Sequence, residues 1–202
     1  WEVCQFETAE LVAERTYELS GWLRGQLGTD IPGAWSEQRA GPGQPMVVLD
    51  SALLRLAVGA SGVGRPLNWR YGRASRDISD ASYRQTSHAF TGLARRPYAP
   101  VHIRGQRDGA GNLTISWIRR TRIGGDDWNQ GDVPLGEESE AYEVDILDGA
   151  NVIRTLQASG PQVVYQAADQ VSDFAEVPAA VVVRVHQISA SFGRGAGGEA
   201  VV

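Results

Sequence analysis

Leu113-Thr114-Ile115-Ser116-Trp117 decides the fold, because apolar and small polar side chains alternate strictly along it. A β-strand sends successive side chains to opposite faces. Leu113, Ile115 and Trp117 therefore share one face, and Thr114 and Ser116 share the other. This is a half-buried strand with a large aromatic side chain on its core face. Upstream, Asp108-Gly109 and Gly111-Asn112 give the turn that joins it to a strand at Val101–Arg104. Downstream, Asp148-Gly149-Ala150-Asn151 separates Tyr142–Leu147 from Val152–Leu156, a hairpin signal. The run Val181–Ile188 is apolar on both faces at its start and half-buried at its end.

The same pattern covers the rest of the chain. Short alternating or β-branched runs occur at Glu2–Phe6, Thr16–Leu23, Met46–Leu49, Leu53–Val58, Leu67–Arg73 and Gln162–Tyr165. Each is bounded by Gly, Pro, Asn or Asp, the spacing of a sandwich or barrel. Helical periodicity is scarce, with one or two turns expected at Thr8–Glu14 and at Ser51–Leu56. The fold class is all-β, as two β domains. Leu93-Ala94-Arg95-Arg96-Pro97-Tyr98-Ala99-Pro100 reads as a short, semi-rigid connector, since two prolines three apart favour extended backbone. It divides the chain into a β-rich domain over 1–97 and a β-sandwich domain over 98–202.

Bulk composition narrows the function. The chain has 202 residues and a net charge of −5, and all 19 basic residues are arginine. Residues 1–97 carry 11 arginines against 10 acids, while residues 98–202 carry 8 against 14. Sequence-independent nucleic-acid binding needs a basic face, so this balance argues against it. No apolar run approaches the roughly 20 residues of a membrane span. The single cysteine, Cys4, excludes an internal disulfide framework, and it reads as a small packed residue of a strand. The chain opens on Trp1, inside a strand-like run, which reads as a piece of a longer polypeptide.

The strand order over Val101–Val202 resembles a fibronectin type III module. Trp117 lies on a B-like strand, Tyr142 opens a C-like strand, and Ala180–Ile188 is a long F-like strand. The glycine-rich stretch Gly193–Gly198 then leads to a G-like end at Glu199–Val202. Two departures stand out. Val181–Val183 occupy the start of the F-like strand, where the module usually has a tyrosine. The B–C connection, from about Ile123 to Ala141, is also much longer than the module needs, as functional loops often are.

The first domain carries Tyr17-Glu18-Leu19-Ser20-Gly21-Trp22-Leu23-Arg24-Gly25-Gln26-Leu27-Gly28-Thr29-Asp30. Its closely spaced glycines suit tight turns or close backbone approach, and a Gly- and Pro-rich loop follows at Pro32–Pro45. This stretch resembles the L-S-G-x-L-R-G-x-x-G-T signature in the C-terminal region of large tail hub proteins of gene transfer agents and siphophages. Val47–Asp50, Arg95–Pro100, Gly124–Trp128, Pro134–Tyr142 and Tyr165–Gln170 echo the same family in order. The resemblance implies a virion component at the tail tip, trimeric around the tail axis, that contacts other tail and baseplate proteins. No cofactor is expected.

Residue chemistry points away from catalysis. His88, His102 and His186 have no metal-ligand spacing, and no second cysteine is present for zinc. Gly59-Ala60-Ser61-Gly62 fails as a nucleophile elbow, and Gly59–Gly64 lacks the lysine of a phosphate loop. The chain is therefore expected not to be an enzyme. In the long acidic connection, Asp127, Asn129 and Gly131 alternate and Glu138 follows at the twelfth position, an oxygen-ligand spacing near that of a calcium loop. Glycine falls at the fifth position there rather than the sixth, and a solvated acidic loop is the simpler reading. Trp128, flanked by Asp126 and Asp127, and Trp35 in the first domain's long loop are candidate surface contacts. Exposed indole rings stack on sugar faces and anchor protein contacts alike, so a cell-surface glycan is the second candidate partner. Arg65, Arg70, Arg73, Arg76 and Arg84 accompany Trp69 and Tyr71, but alternation sends those aromatics to the face opposite Arg70.

Overall fold

The structure is a computed structural model that describes residues 2–29, 45–125 and 132–202. Its strands are β1 (Val3–Gln5), β2 (Thr8–Ala13), β3 (Thr16–Ser20), β4 (Leu23–Gln26), β5 (Pro66–Tyr71), β6 (Arg84–Ala89), β7 (Val101–Arg107), β8 (Leu113–Ile118), β9 (Tyr142–Asp148), β10 (Asn151–Ala158), β11 (Gln162–Tyr165), β12 (Val182–Ser189) and β13 (Gly193–Val201). One α-helix is present among the described residues, α1 (Ala167–Phe174), between β11 and β12. The fold is all-β.

Strands β7 to β13 form a sandwich of two antiparallel sheets, ordered β11-β8-β7 and β10-β9-β12-β13. In module lettering these are E-B-A and C′-C-F-G, the strand order of a fibronectin type III domain. The core follows from alternation. Leu113, Ile115 and Trp117 of β8 are buried, as are Tyr142, Val144 and Ile146 of β9 and Val183 and Val185 of β12. Val144 faces Val185 and Ile146 faces Val183 across the ladder, so β-branched side chains stack in register. The Trp117 and Tyr142 rings meet edge to face, with centroids 5.0 Å apart.

The crossover from β11 to β12 replaces the missing tyrosine corner with a polar lock. Gln170 of α1 is fully buried. Its amide nitrogen donates to the carbonyls of Tyr165 and Gly111 at 2.8 and 3.1 Å. Its amide oxygen accepts from Arg107 at 2.7 Å, and Arg107 also donates to the Pro178 carbonyl at 2.6 Å. The Tyr165 hydroxyl donates to Asp173, which is also paired with Arg154. No periodic signal announces α1, because an eight-residue helix is held by these partners rather than by a long apolar stripe.

Glycines at the end of the chain form strand rather than loop. β13 begins at Gly193, not at Glu199 as expected. A side chain at Gly195 would meet Pro97 at 2.8 Å, and one at Gly198 would overlap the Pro100 carbonyl. The missing Cβ atoms let the Pro97–Pro100 segment lie against β13, where the Ala196 amide donates to the Pro97 carbonyl at 3.0 Å.

The remaining strands pair only as two-stranded ribbons among the described residues: β1 with β4, β2 with β3, and β5 with β6. Thr8–Glu14, expected to be helical, is strand β2. Thr8, Glu10 and Val12 alternate with Ala9, Leu11 and Ala13, and β3 supplies the ladder. The strand expected over Thr16–Leu23 divides into β3 and β4 at Gly21, whose φ of 67° no extended strand adopts. Met46–Leu49 and Leu53–Val58 form no strand, and Ser51–Leu56 forms no helix. Their composition favours β-structure, but no described strand lies alongside to complete a ladder. β6 goes unannounced because Arg84-Gln85-Thr86-Ser87-His88-Ala89 is almost wholly polar.

Contacts divide the chain into two compact units, Trp1–Arg39 with Ala94–Val202, and Ala40–Leu93. This grouping follows packing and differs from the partition at Pro97 in chain order, because the first strands belong with the sandwich.

Candidate assembly surface

The described part of the Tyr17–Asp30 stretch is a set of backbone and ion-pair fasteners. Arg24 grips Glu2 at 2.6 Å, and the same carboxylate accepts the Gly25 amide at 2.9 Å. Those hydrogen bonds, the Arg24 side chain's foremost, hold the Glu2 carboxyl below its usual range. Thr29 Oγ1 accepts the Val3 amide at 2.9 Å and donates to the Gln26 carbonyl at 2.8 Å. Gly28, at φ 70°, lies directly against the Tyr98 ring. The Arg120 guanidinium stands 5.1 Å from the centroid of that ring. Two stretches singled out separately in the sequence, Tyr17–Asp30 and Arg95–Pro100, therefore meet at Gly28 and Tyr98.

What this N-terminal segment lacks is a core. No described side chain before Pro97 is buried. The β2–β3 ribbon is amphipathic, with Ala9, Leu11, Tyr17 and Leu19 on one face and Glu10 opposite Glu18 on the other. Leu11 and Tyr17 are 60% and 61% exposed, and Met46, Val48, Leu49 and Leu54 are exposed as well. A two-stranded ribbon is marginal alone in water, and contiguous exposed apolar side chains mark interaction surfaces.

The far end of the sandwich is stapled. Arg119, just past β8, donates to Asp132 at 2.7 Å and lies 3.7 Å from Glu140. Arg122 donates to the nearly buried Glu137 at 3.0 Å and to the Gly136 carbonyl at 3.2 Å. Glu138 accepts the Ala190 amide, which ties the long connection to the β12–β13 turn. Trp128, Asp126, Asp127 and Trp35 lie outside the described residues, as do Asn129 and Gly131 of the calcium-like spacing. Glu138, the last member of that spacing, is engaged with Ala190.

The histidines are dispersed. His88 is exposed beside Phe90, and His102 is exposed where β7 bulges, at φ 53°. His186 is buried on the outer face of the four-stranded sheet. Its Nδ1 donates to the Gly195 carbonyl at 3.0 Å, and its Nε2 stands 3.7 Å from Asp145. Burial, foremost, and the Arg194 charge push the imidazole below its ordinary range. Asp145 itself is 1% exposed and is gripped by both Arg194 terminal nitrogens at 2.7 and 2.8 Å and by the Thr155 hydroxyl at 2.7 Å. Burial works upward on its carboxyl, but these hydrogen bonds outweigh it and hold the group low. Nothing in the sequence announces Arg194 as the cover of Asp145, because the two are 49 residues apart. Among the described residues, no group of three or more His, Cys, Asp or Glu could hold a metal ion. Among them, too, no helix is long and apolar enough to cross a membrane.

Residues 1–46 match a family model described as Rcc01698-like, C-terminal, a gene transfer agent or phage-like protein family. No curated protein matches. Among solved structures, the chain is similar to the extracellular region of rat CD45, domains d3–d4. The identity is 10% and the TM-score 0.38, over 96% of this chain and 93% of that one. It is also similar to the Clostridium perfringens spore cortex lytic enzyme SleM. There the identity is 12% and the TM-score 0.34, over 67% of this chain and 38% of that one. Likenesses of this size carry no argument. The fibronectin type III character rests on the strand order above.

Proposed function

We propose that this chain is a non-enzymatic structural component of a phage-like tail tip or baseplate hub, located in the particle and making protein–protein contacts in tail assembly and host attachment. One observation carries the reading. A sandwich with its own core is joined to ribbons that have none, and the ribbons' exposed Leu11, Tyr17 and Tyr71 leave the bulk water only against another surface. The family match over the first 46 residues falls on that ribbon segment and agrees in kind. The test is quantitative. Particles purified from the producing cells should contain the chain at constant stoichiometry, and antibody against it should mark one end of the tail. A chain absent from purified particles ends the proposal. Light scattering separates two forms of it, since a trimer places the symmetry-making contacts inside these residues and a monomer places them elsewhere.

A second reading, a carbohydrate- or receptor-binding module at the cell-facing tip, draws on the stapling of the long connection by Arg119 and Arg122. Fixed flanks present a loop at low entropic cost. A glycan array decides it: binding lost in Trp128→Ala supports the reading, and a blank array on folded protein removes it.

A further inference from the structure

The turn between β5 and β6 is organised around Tyr83. Its hydroxyl donates to the Arg73 and Arg76 carbonyls at 3.1 and 3.3 Å, and its ring lies against Gly72. The Arg70 guanidinium stands 5.9 Å from the ring centroid, and Arg84 is the next residue in the chain. Arg70, Arg73, Arg76 and Arg84 thus all belong to one end of the ribbon, with Arg70 on one face and Arg84 on the other. The acids of the turn are already engaged: Asp77 accepts the Ser79 amide and hydroxyl, and Asp80 accepts the Ser82 amide and faces Arg76 at 3.8 Å. Arg70, Arg73 and Arg84 have no ion-pair partner among the described residues. The whole Ala40–Leu93 unit holds six arginines, three aspartates and no glutamate.

Beside this bare charge lies a bare strand edge. β5 and β6 pair only with each other among the described residues, so the outer backbone groups of each await a neighbour. β5 opens on Pro66, which has no N–H to offer. β6 contains no proline, and all six of its residues are exposed. Trp69 and Tyr71 of β5 stand opposite Thr86 and Arg84, giving one face of the ribbon an aromatic surface next to the charge.

We infer that the β6 edge docks an extended, acidic segment of a partner protein, which adds as a third strand while its carboxylates meet the arginines around Tyr83. This rests on the assembly reading and names the chemistry of one partner. The open edge selects the class of molecule. A polypeptide supplies the alternating N–H and C=O groups a ladder needs, whereas an anionic polysaccharide or a nucleic acid supplies charge alone. Arginine forks pair bidentately with carboxylates, and alternate side chains of an added strand fall on the aromatic face.

The probe is an alternating Glu-Val peptide of about twelve residues, enough to span an ordinary strand. It is titrated into the full chain and followed by amide hydrogen exchange. An alternating Lys-Val peptide, polygalacturonate and single-stranded DNA are run beside it. The expected result is slowed exchange at β6 with the acidic peptide alone and binding that weakens with salt. Affinity should fall about two- to fivefold in Arg70→Gln/Arg84→Gln, because these two side chains lie on opposite faces of the ribbon and an alternating peptide meets one of them with its carboxylates. Unchanged exchange at β6, or protection confined to another strand, overturns the inference. Equal binding of polygalacturonate or DNA without amide protection also overturns it, leaving a cationic patch only. Incorporation into particles is scored separately. A chain that enters particles but shows no protection at β6 sinks the docking alone, while a chain absent from particles sinks the assembly reading.

Discussion

The ring of Tyr98 occupies the space that a side chain on Gly28 would need. Gly28 also sits at φ 70°, so two constraints meet at one residue. Gly28→Ala should cost about 1–3 kcal/mol through overlap and left-handed backbone strain, read as a lower urea midpoint. Adding Tyr98→Ala should return part of that loss by removing the overlap while leaving the strain. Strictly additive losses in the double variant would show that the two residues do not press on each other.

Gln170→Ala should destabilise the sandwich by about 1–3 kcal/mol, because it strips a buried partner from Arg107 and from two carbonyls. Replacing both ends of the contact, as Arg107→Met with Gln170→Leu, should cost less than the sum of the single changes. Thermal melts of the four proteins check this. A neutral Gln170→Ala would mean that α1 is held by Arg154–Asp173 and Tyr165 instead.

Stability should fall as the medium is acidified, in two stages. His186 has a folded-state pKa depressed by burial, so below its unfolded value, near 6.5, the unfolded chain binds a proton that the folded chain resists. The loss begins there and continues until the folded value is reached. A second loss follows when carboxyls held low by their partners, Asp145 by Arg194 and Thr155 and Asp173 by Arg154, protonate below their unfolded value, near 3.8. Urea midpoints across pH 7 to 2 should slope downward, and His186→Gln should flatten the upper part of that slope. An unchanged slope in the variant would remove His186 as its source.

Arg194→Met leaves the Asp145 carboxylate covered but held by Thr155 alone. Because Arg194 is 39% exposed, solvent replaces part of the lost pairing, and a cost of about 1–2 kcal/mol is expected. The same change removes a positive charge that depresses His186, so the imidazole should titrate at higher pH. Proton NMR of the ring measures that directly, and a downward move would contradict the arrangement.

The sandwich was legible because its signal is local. Alternation in Leu113–Trp117 and in Tyr142–Ile146 fixes which side chains turn inward, and turn residues at Asp108–Asn112 and Asp148–Asn151 fix where the strands reverse. The ribbons were less legible. Thr8–Glu14 has the composition of either a helix or a strand, and only its ladder with β3 selects one. Met46–Leu49 shows the opposite failure, since strong β-propensity yields no strand without a neighbour. The candidate surface contacts, Trp128 and Trp35 with Asp126 and Asp127, fall outside the described residues. The arginines of Arg65–Arg84 are visible as a run in the sequence, but only the turn geometry places Tyr83 among them.

The sequence by itself determined an all-β chain, the inward face of β8 and the fibronectin-like order, because a period of two and a handful of turn residues act over a few positions. Tertiary structure alone decided that Gly28 lies under Tyr98, that Gln170 stands in for a tyrosine corner, that Asp145 is covered by Arg194, and that β13 is glycine-rich to admit Pro97–Pro100. Each of these joins residues far apart in the chain. Such contacts depend on shape and on paired burial, which no local pattern of side chains encodes.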